Sequence, residues 1–479
     1  VNQKLIVISV DAMSGADDIA YARTLPAFGR LLERAAVAEI EAVFPTLTYP
    51  NHTAQVTGCT PAVSGIFNNV LMQPGIDHPD WFWEYDRLQA PTLMDAAKAA
   101  GLTVAAVQWP VTAGAPFDVV VPEIANEDHF GGLEAAMERF CSPRGHELWQ
   151  RHRDKTVWHP KRRHDDMSTA VVVDTLLEDR PDVLFWHLVD VDSARHLHGA
   201  TGEHVREALR ATDERIGRAL AALDATGDLE RTNVVVVSDH GHLDTEQHTN
   251  LNVLLRERGF LRTDAEHHLL DWEAYCHSAG LSGQVFLADD ITPERRAAVE
   301  ELLREVEATP EYRVERVWTE AEARSELGLG GPFAYVVESE PGVIVGGALD
   351  RRVVVRKGDE DFRGYLGNHG HHPRHGAQPV FLASGPAFVP GADAGLRRMI
   401  DEAPTLAAAL GLALPHAEGA AMVELLVGAT EQEPVSTPAA TLEEPEVAAA
   451  LDAPAAFVAE GTAEGTVEGT AEAVVTDRA

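Results

Sequence analysis

Six side chains of the kinds that bind divalent cations each lie beside an apolar run of the chain. Asp11 ends "KLIVISVD" (4–11), and Asp239-His240 interrupts "NVVVVSDHGH" (233–242) directly after its valines and a serine. Asp192 and His196, four residues apart, follow "PDVLFWHLVD" (181–190), and His369 sits in "GNHGHHPRHG" (367–376), ahead of "QPVFLASGP" (378–386). Each has an ordinary reading: Asp11 as a helix cap, Asp192 and His196 as one turn on a wet face, residues 369–375 as a solvated loop. Asp239-His240 is harder to explain so, because two polar groups stand abruptly at the end of a buried run. Together the six offer three carboxylates and three imidazoles, a ligand set for two divalent metals. A seventh candidate is Thr48 in "FPTLTYPNHTAQVTG" (44–58). Pro50 suits a first helical turn and Gly58 a helix stop, so Thr48 reads either as an N-cap or as a reactive hydroxyl, and that stretch alone favours the cap.

Elements that could carry these residues alternate along the chain. The runs at 4–11, 102–110, 181–190, 233–242 and 378–386 are continuous rather than alternating, as strands covered on both faces are. Helical patterns lie between them at 92–101 and 204–227, the latter with Val205, Leu209, Ile216, Leu220 and Leu223 near helical spacing. This order predicts an α/β fold: a mostly parallel central sheet with helices on both faces, whose ligands bind beyond the carboxyl ends of strands. One catalytic domain is expected over 1–427. Residues 260–368, with a helix over 292–309 and Gly-rich extended sequence, are expected to form a smaller inserted subdomain. From 428 to 479 the chain turns acidic, with an E-G-T repeat, and reads as a disordered tail.

The 39 Lys and Arg against 76 Asp and Glu give a net charge of −37, which repels nucleic-acid duplexes and anionic membranes. A small anionic substrate is still allowed, because a bound metal reverses the local field. Cys59, Cys141 and Cys276 are far apart, without the spacing of a disulfide framework or a thiolate zinc site. The N-terminal apolar run is too short to span a bilayer and lacks signal-peptide flanks, so the expectation is a cytoplasmic protein; the oligomeric state is not written in the sequence.

In these motifs the chain resembles the alkaline phosphatase superfamily, and within it the nucleotide pyrophosphatase/phosphodiesterase branch. The resemblance rests on "PTLTYPNHTAQVTG", "SGIFNN", "DVDSARHLHG", "SDHG" and "GNHGHHPRHGAQPVFLASGPAF", in that order, and covers most of residues 1–427. It implies that Thr48 is the nucleophile, forming a covalent phospho-threonine intermediate, and that Asn69 helps hold the phosphoryl group. It implies one metal held by Asp192, His196 and His369, and a second held by Asp11, Asp239, His240 and the oxygen of Thr48. Nitrogen and oxygen ligands without sulfur suit Zn²⁺, with Mn²⁺ as the alternative. A Thr hydroxyl is a poor nucleophile alone, but a bound dication lowers the pKa of its oxygen enough to dispense with a separate base. The helix begun by Pro50 is expected to aim free backbone N–H groups at the phosphoryl oxygens.

Two departures stand out. The acidic-Pro-Asp motif is Asp190-Val191-Asp192 here, and His371, His372 and His375 replace the usual Tyr/Ser-Asp-Asn after His369, which puts His369 in competition with His375. Sulfatase chemistry is excluded, since "CTPAV" (59–63) has Val63 where its motif needs Arg. Tyr49, Trp109 and the aromatic group "WFWEY" (81–85) are candidates for substrate contact, with core packing as the competing role for at least two of them. The expected substrate is a small phosphoester such as a nucleotide. A phosphonoacetate hydrolase-like enzyme cleaving a C–P bond is the rival reading, and a non-catalytic scaffold with an acidic tail the remote one.

Overall fold

The computed structural model of the protein describes residues 3–76, 78–124, 130–156 and 164–428. The expected acidic tail, beyond Gly428, lies outside the described residues. Five strands coincide with the apolar runs: Lys4–Val10, Val104–Val107, Val183–Leu188, Thr232–Val237 and Val380–Ser384. With Ala36–Glu41, Val119–Val121 and Asp393–Arg398 they form an eight-stranded sheet. Its spatial order is Asp393–Arg398, Ala36–Glu41, Val380–Ser384, Thr232–Val237, Lys4–Val10, Val183–Leu188, Val104–Val107, Val119–Val121.

Lys4–Val10 shows why the runs are continuous. All seven of its residues are buried. Ile6, Ile8 and Val10 enter one core with Ile216 and Leu220 of helix Glu203–Ala225. Leu5 and Val7 enter the opposite core with Ala54 and Val56 of helix Thr48–Thr57 and Leu406 of helix Glu402–Ala409. Side chains alternate across a strand, so a sheet covered by helices on both faces needs an apolar residue at every position, each contributing about 1.5–3 kcal/mol on full burial.

The sheet is parallel except around Val380–Ser384, which runs antiparallel to Thr232–Val237 and to Ala36–Glu41. The three additional strands carry weaker signals. Ala36–Glu41 alternates buried with open positions, Asp393–Arg398 is an edge strand with mostly open residues, and Val119–Val121 has three residues, too few to show a period. Helix ends follow local chemistry. Thr92 and Asp95 form a capping box on Leu93–Ala99, and Thr292 accepts the Arg295 N–H at the start of Pro293–Ala308.

Within 260–368 a second, antiparallel sheet has the order Ala274–Ser278, Ser282–Leu287, Tyr335–Ser339, Val314–Thr319. Val299, Leu302, Leu303 and Val306 of helix Pro293–Ala308 pack on it in a core of their own. The chain then returns through Gly367–Asn368, paired antiparallel with Leu243–Asp244, which brings His369 beside His242. Two glycines make the seam tight. Gly370 has φ +90° and a Cβ there would stand 1.8 Å from the Ala279 carbonyl oxygen; at Gly280, φ +70°, it would stand 2.2 Å from that of His369. Replacement of Gly370 by Ala is therefore expected to cost about 2–4 kcal/mol, from the left-handed conformation and the backbone clash together. Urea unfolding checks this: a midpoint equal to that of the unsubstituted chain would refute a rigid seam.

Candidate metal centre

Thr232–Val237, Lys4–Val10 and Val183–Leu188 are neighbours at the middle of the sheet, and each delivers one carboxylate at its end. Asp11 follows Val10 directly, Asp239 follows Ser238, and Asp192 lies in the first turn of helix Asp190–His198. His196 is one turn further along that helix, on the same face as Asp192. The donor atoms of Asp192, His196, His242 and His369 all lie within 4.8 Å of one another, and so do those of Asp11, Asp192 and His240. Asp239 joins the second group through His240: its Oδ2 is 3.1 Å from His240 Nε2, while Asp11 Oδ1 is 3.6 Å from the same nitrogen. Thr48 Oγ1 is 3.3 Å from His240 Nε2.

Neighbouring groups fix the orientation of these side chains. His196 Nδ1 donates to the Gly367 carbonyl and His369 Nδ1 to that of Thr46, both at 2.9 Å, which leaves each Nε2 lone pair facing the cluster. Asp239 Oδ1 accepts the Ala12 N–H at 3.1 Å, and Asp11 Oδ2 pairs with His187 Nε2 at 3.1 Å. His52 donates from Nδ1 to the Thr48 carbonyl and meets Ser9 Oγ through Nε2, both at 2.8 Å, so the start of the Thr48 helix is tied to the central strand.

Burial and like charge dominate the electrostatics. Burial, then the negative charge of Asp192, holds Asp11 well above the ordinary carboxylate range, and burial, then Asp11, does the same to Asp239. Burial also opposes ionisation of Asp192, but His196 and His242 outweigh it and hold this carboxyl well below its ordinary value. His240 is kept neutral by burial and by the imidazoles of His369 and His242. Among the described residues no Lys or Arg pairs with Asp11, Asp192 or Asp239, and Asp11 Oδ1 and Asp239 Oδ2 are buried without a hydrogen-bond donor. Orphaned carboxylate oxygens beside neutral imidazoles are a donor set that fits divalent cations.

Several expectations change. Helix Thr48–Thr57 begins at Thr48, not at Pro50; Leu47 holds the cap position, and Thr48 makes no capping bond. The first turn also has few free donors. The Tyr49 N–H is taken by Asn69 Oδ1 at 2.8 Å, Pro50 has none, and the Asn51 N–H reaches the Leu47 carbonyl at 3.1 Å. Asn69 is thereby anchored by its oxygen next to Thr48, and its amide hydrogens are what it can offer a ligand. Tyr49 and Trp109 are both 0% exposed, so neither presents surface to a substrate. Trp109 packs edge-on to His52 and Phe185, and Tyr49 edge-on to Trp81. In "WFWEY", Phe82 and Trp83 are core residues as well. Of the competing histidines, His369 lies in the Asp192 cluster, whereas His375 Nε2 is 2.9 Å from Glu315 in a separate cluster with Glu338. His242 also belongs to the site, beyond the Asp239-His240 pair that stands out in the sequence. Its signal is the two-residue spacing in "DHGH", which keeps alternate side chains on one side of an extended chain.

Comparison with known proteins supplies the context. The family model described as type I phosphodiesterase / nucleotide pyrophosphatase matches residues 5–377. Ectonucleotide pyrophosphatase/phosphodiesterase 2 of Saccharomyces cerevisiae is 25% identical over 228 residues, which cover 45% of this chain and 42% of the yeast protein. The human ectonucleotide pyrophosphatase/phosphodiesterase family member 1 is 24% identical over 212 residues, 42% of this chain but 19% of the human protein. These matches thus span less than half the length of either relative. Murine ectonucleotide pyrophosphatase/phosphodiesterase 5 shares the fold, with a TM-score of 0.60 at 19% identity over 86% of this chain and 97% of that one. An inactive variant of the murine protein, in complex with AMP, superposes with the same TM-score, 0.60.

If these groups hold cations, chelation must expose their repulsion. EDTA is expected to lower Tm, and added Zn²⁺ to restore it, each ion at 100 times its dissociation constant contributing about 2.7 kcal/mol. Differential scanning fluorimetry reads this directly, and a Tm indifferent to both EDTA and metal would show that the cluster binds none.

Proposed function

This chain belongs to the type I phosphodiesterase / nucleotide pyrophosphatase family, and from that premise we propose that it is a two-metal phosphodiesterase or nucleotide pyrophosphatase with Thr48 as its nucleophile. The observation that carries the reading is the position of Thr48. It is buried at the first residue of a helix, free of capping duty, with Oγ1 3.3 Å from His240 Nε2 at the edge of the ligand cluster. Asp192, His196 and His369 would hold one ion and Asp11, Asp239, His240 and Thr48 the other, Zn²⁺ by their chemistry. Bound there, the ions supply Lewis acidity that lowers the pKa of the Thr48 hydroxyl and offsets charge on the phosphoryl oxygens.

The protein's own groups do the rest. Thr48 gives up its proton to solvent, and its Oγ forms a bond to phosphorus while the P–O bond to the leaving group breaks and the leaving oxygen keeps the electron pair. Water then attacks phosphorus, the bond to Oγ breaks, and the Thr48 hydroxyl returns. Asn69, fixed by the Tyr49 N–H, donates to a phosphoryl oxygen, and the N–H of Thr48 is the first-turn donor left for a second. The helix and His52 hold Thr48 in line, so orientation is settled before substrate arrives. AMP bound to the murine relative supports a nucleotide as substrate.

Thr48→Ala tests the assignment. Turnover of bis-4-nitrophenyl phosphate and of a dinucleotide is expected to fall by about 10³-fold or more, with metal content and Tm nearly unchanged. Thr48→Ser should keep part of the activity, because its hydroxyl can still attack. Diester hydrolysis by Thr48→Ala at the original rate would move the nucleophile elsewhere, and preferential turnover of phosphonoacetate by the unsubstituted protein would favour C–P cleavage instead.

A further inference from the structure

We propose that the ion at Asp192 is held by four side chains of this chain, with His242 Nε2 as a ligand beside Asp192, His196 and His369. The proposal rests on the two-metal reading above and adds a ligand to it; a phosphoryl oxygen would then enter as a fifth ligand, an expansion that catalytic zinc allows.

Distances carry the argument. Asp192 Oδ1 is 2.8 Å from His242 Nε2, 3.2 Å from His196 Nε2 and 3.8 Å from His369 Nε2. Bonds of about 2.0–2.1 Å in a tetrahedral site place neighbouring donors about 3.3 Å apart, and the three observed separations bracket that value. The imidazoles are also evenly disposed. Ring centroids of His196 and His242 are 4.6 Å apart, those of His242 and His369 5.0 Å, and those of His196 and His369 5.2 Å. Three rings at nearly equal spacing therefore face one carboxylate oxygen, with all four donors inside 4.8 Å.

The backbone fixes His242 in this place. A Cβ at Gly241 would stand 2.4 Å from the Ala377 carbonyl oxygen and 3.0 Å from Ser14 Oγ, so only glycine fits between the two imidazoles of "HGH". One residue later, Leu243 pairs with Asn368, the neighbour of His369. The ring is enclosed, 5% exposed, and its Nδ1 has no hydrogen-bond partner among the described residues.

The competing role is that of a positioning residue, with Nε2–H donating to Asp192 Oδ1. That proton would point its positive end into a cluster holding a dication, whereas the Nε2 lone pair is attracted to it. Coordination leaves a buried Nδ1–H without an acceptor, at a cost of about 1–3 kcal/mol, which is small against the bond to a divalent ion. Three imidazoles and one carboxylate also favour Zn²⁺ over Mn²⁺ at this position.

Crystals of the zinc-loaded full chain, with anomalous data at the zinc edge, read the ligand directly. The expected result is zinc about 2.0–2.2 Å from His242 Nε2. In solution, His242→Gln should release one of two zinc equivalents to a competing chelator at least tenfold more readily and keep the other. Zinc bound by Asp192, His196 and His369 with His242 Nε2 beyond about 3 Å would overturn this inference alone. Zinc absent from the whole cluster would overturn it together with the two-metal reading.

Discussion

Three carboxylates, Asp11, Asp192 and Asp239, stand together in the protein interior with no Lys or Arg paired to any of them among the described residues. Mutual repulsion and desolvation at such a site are severe, and breaking up a buried charge balance typically costs several kcal/mol. The arrangement is tolerable only if cations arrive from outside or protons are taken up. Burial keeps His240 and His242 neutral, so imidazole lone pairs rather than imidazolium charges face the carboxylates. The large sheet core and the glycine seam at 280 and 370 can be understood as what holds these unfavourable neighbours in place.

Among the described residues, two buried cations near the cluster are spent away from it: Arg195, on the Asp192 helix, pairs with Asp18, and Arg215 pairs with the carboxylates of the turn before that helix. Arg215 Nη1 is 2.9 Å from Asp190 Oδ2, and its Nε is 2.9 Å from Asp166 Oδ1. Asp165 accepts the N–H groups of Val189 and Asp190, both at 3.0 Å. This bracket fixes the turn that leads from strand Val183–Leu188 into the helix bearing Asp192 and His196. Asp190 thereby has a structural role, since an acidic residue in that position neutralises Arg215 and leaves Asp192 to the candidate metal cluster. Because the guanidinium is engaged there, it does not compete with cations for the ligand oxygens.

Legibility followed burial. Strands buried on both faces appeared as unbroken apolar runs, and the residues that end them stood out because polarity begins abruptly, as at Asp239 after Val237 and Ser238. Ala36–Glu41 and Asp393–Arg398 lie toward one side of the sheet, where one face or the edge is open, and their mixed composition hid them. Strand direction was hidden too, since Val380–Ser384 is as apolar as its parallel neighbours. Aromatic residues were ambiguous in the sequence, since a ring close to a site can line it or pack behind it, and Trp109 and Tyr49, close to Thr48 in the fold or the chain, are fully buried. His242 is inconspicuous in the sequence because a histidine two residues from a metal motif looks redundant until Gly367–Asn368 is seen to close on Leu243–Asp244 from far along the chain.

On the two-metal reading, the balance of charge explains how so acidic a chain could accept an anion. Three ligand carboxylates contribute three negative charges, and two divalent ions would contribute four positive ones, so the filled centre carries a single positive charge before Thr48 loses its proton. Outside, a net charge of −37 produces a repulsive field, but at physiological salt that field fades over about 8 Å. The centre lies among groups that are largely withdrawn from water, where screening is weak and the same unit charge acts more strongly on a nearby phosphoryl oxygen. Loss of the Thr48 proton would then cancel the residual charge at the moment the phosphoryl group needs a nucleophile. On the two-metal reading, attraction for the substrate would thus be local to the cluster, and it would depend on carboxylates, rather than basic side chains, having been assembled there to hold metal.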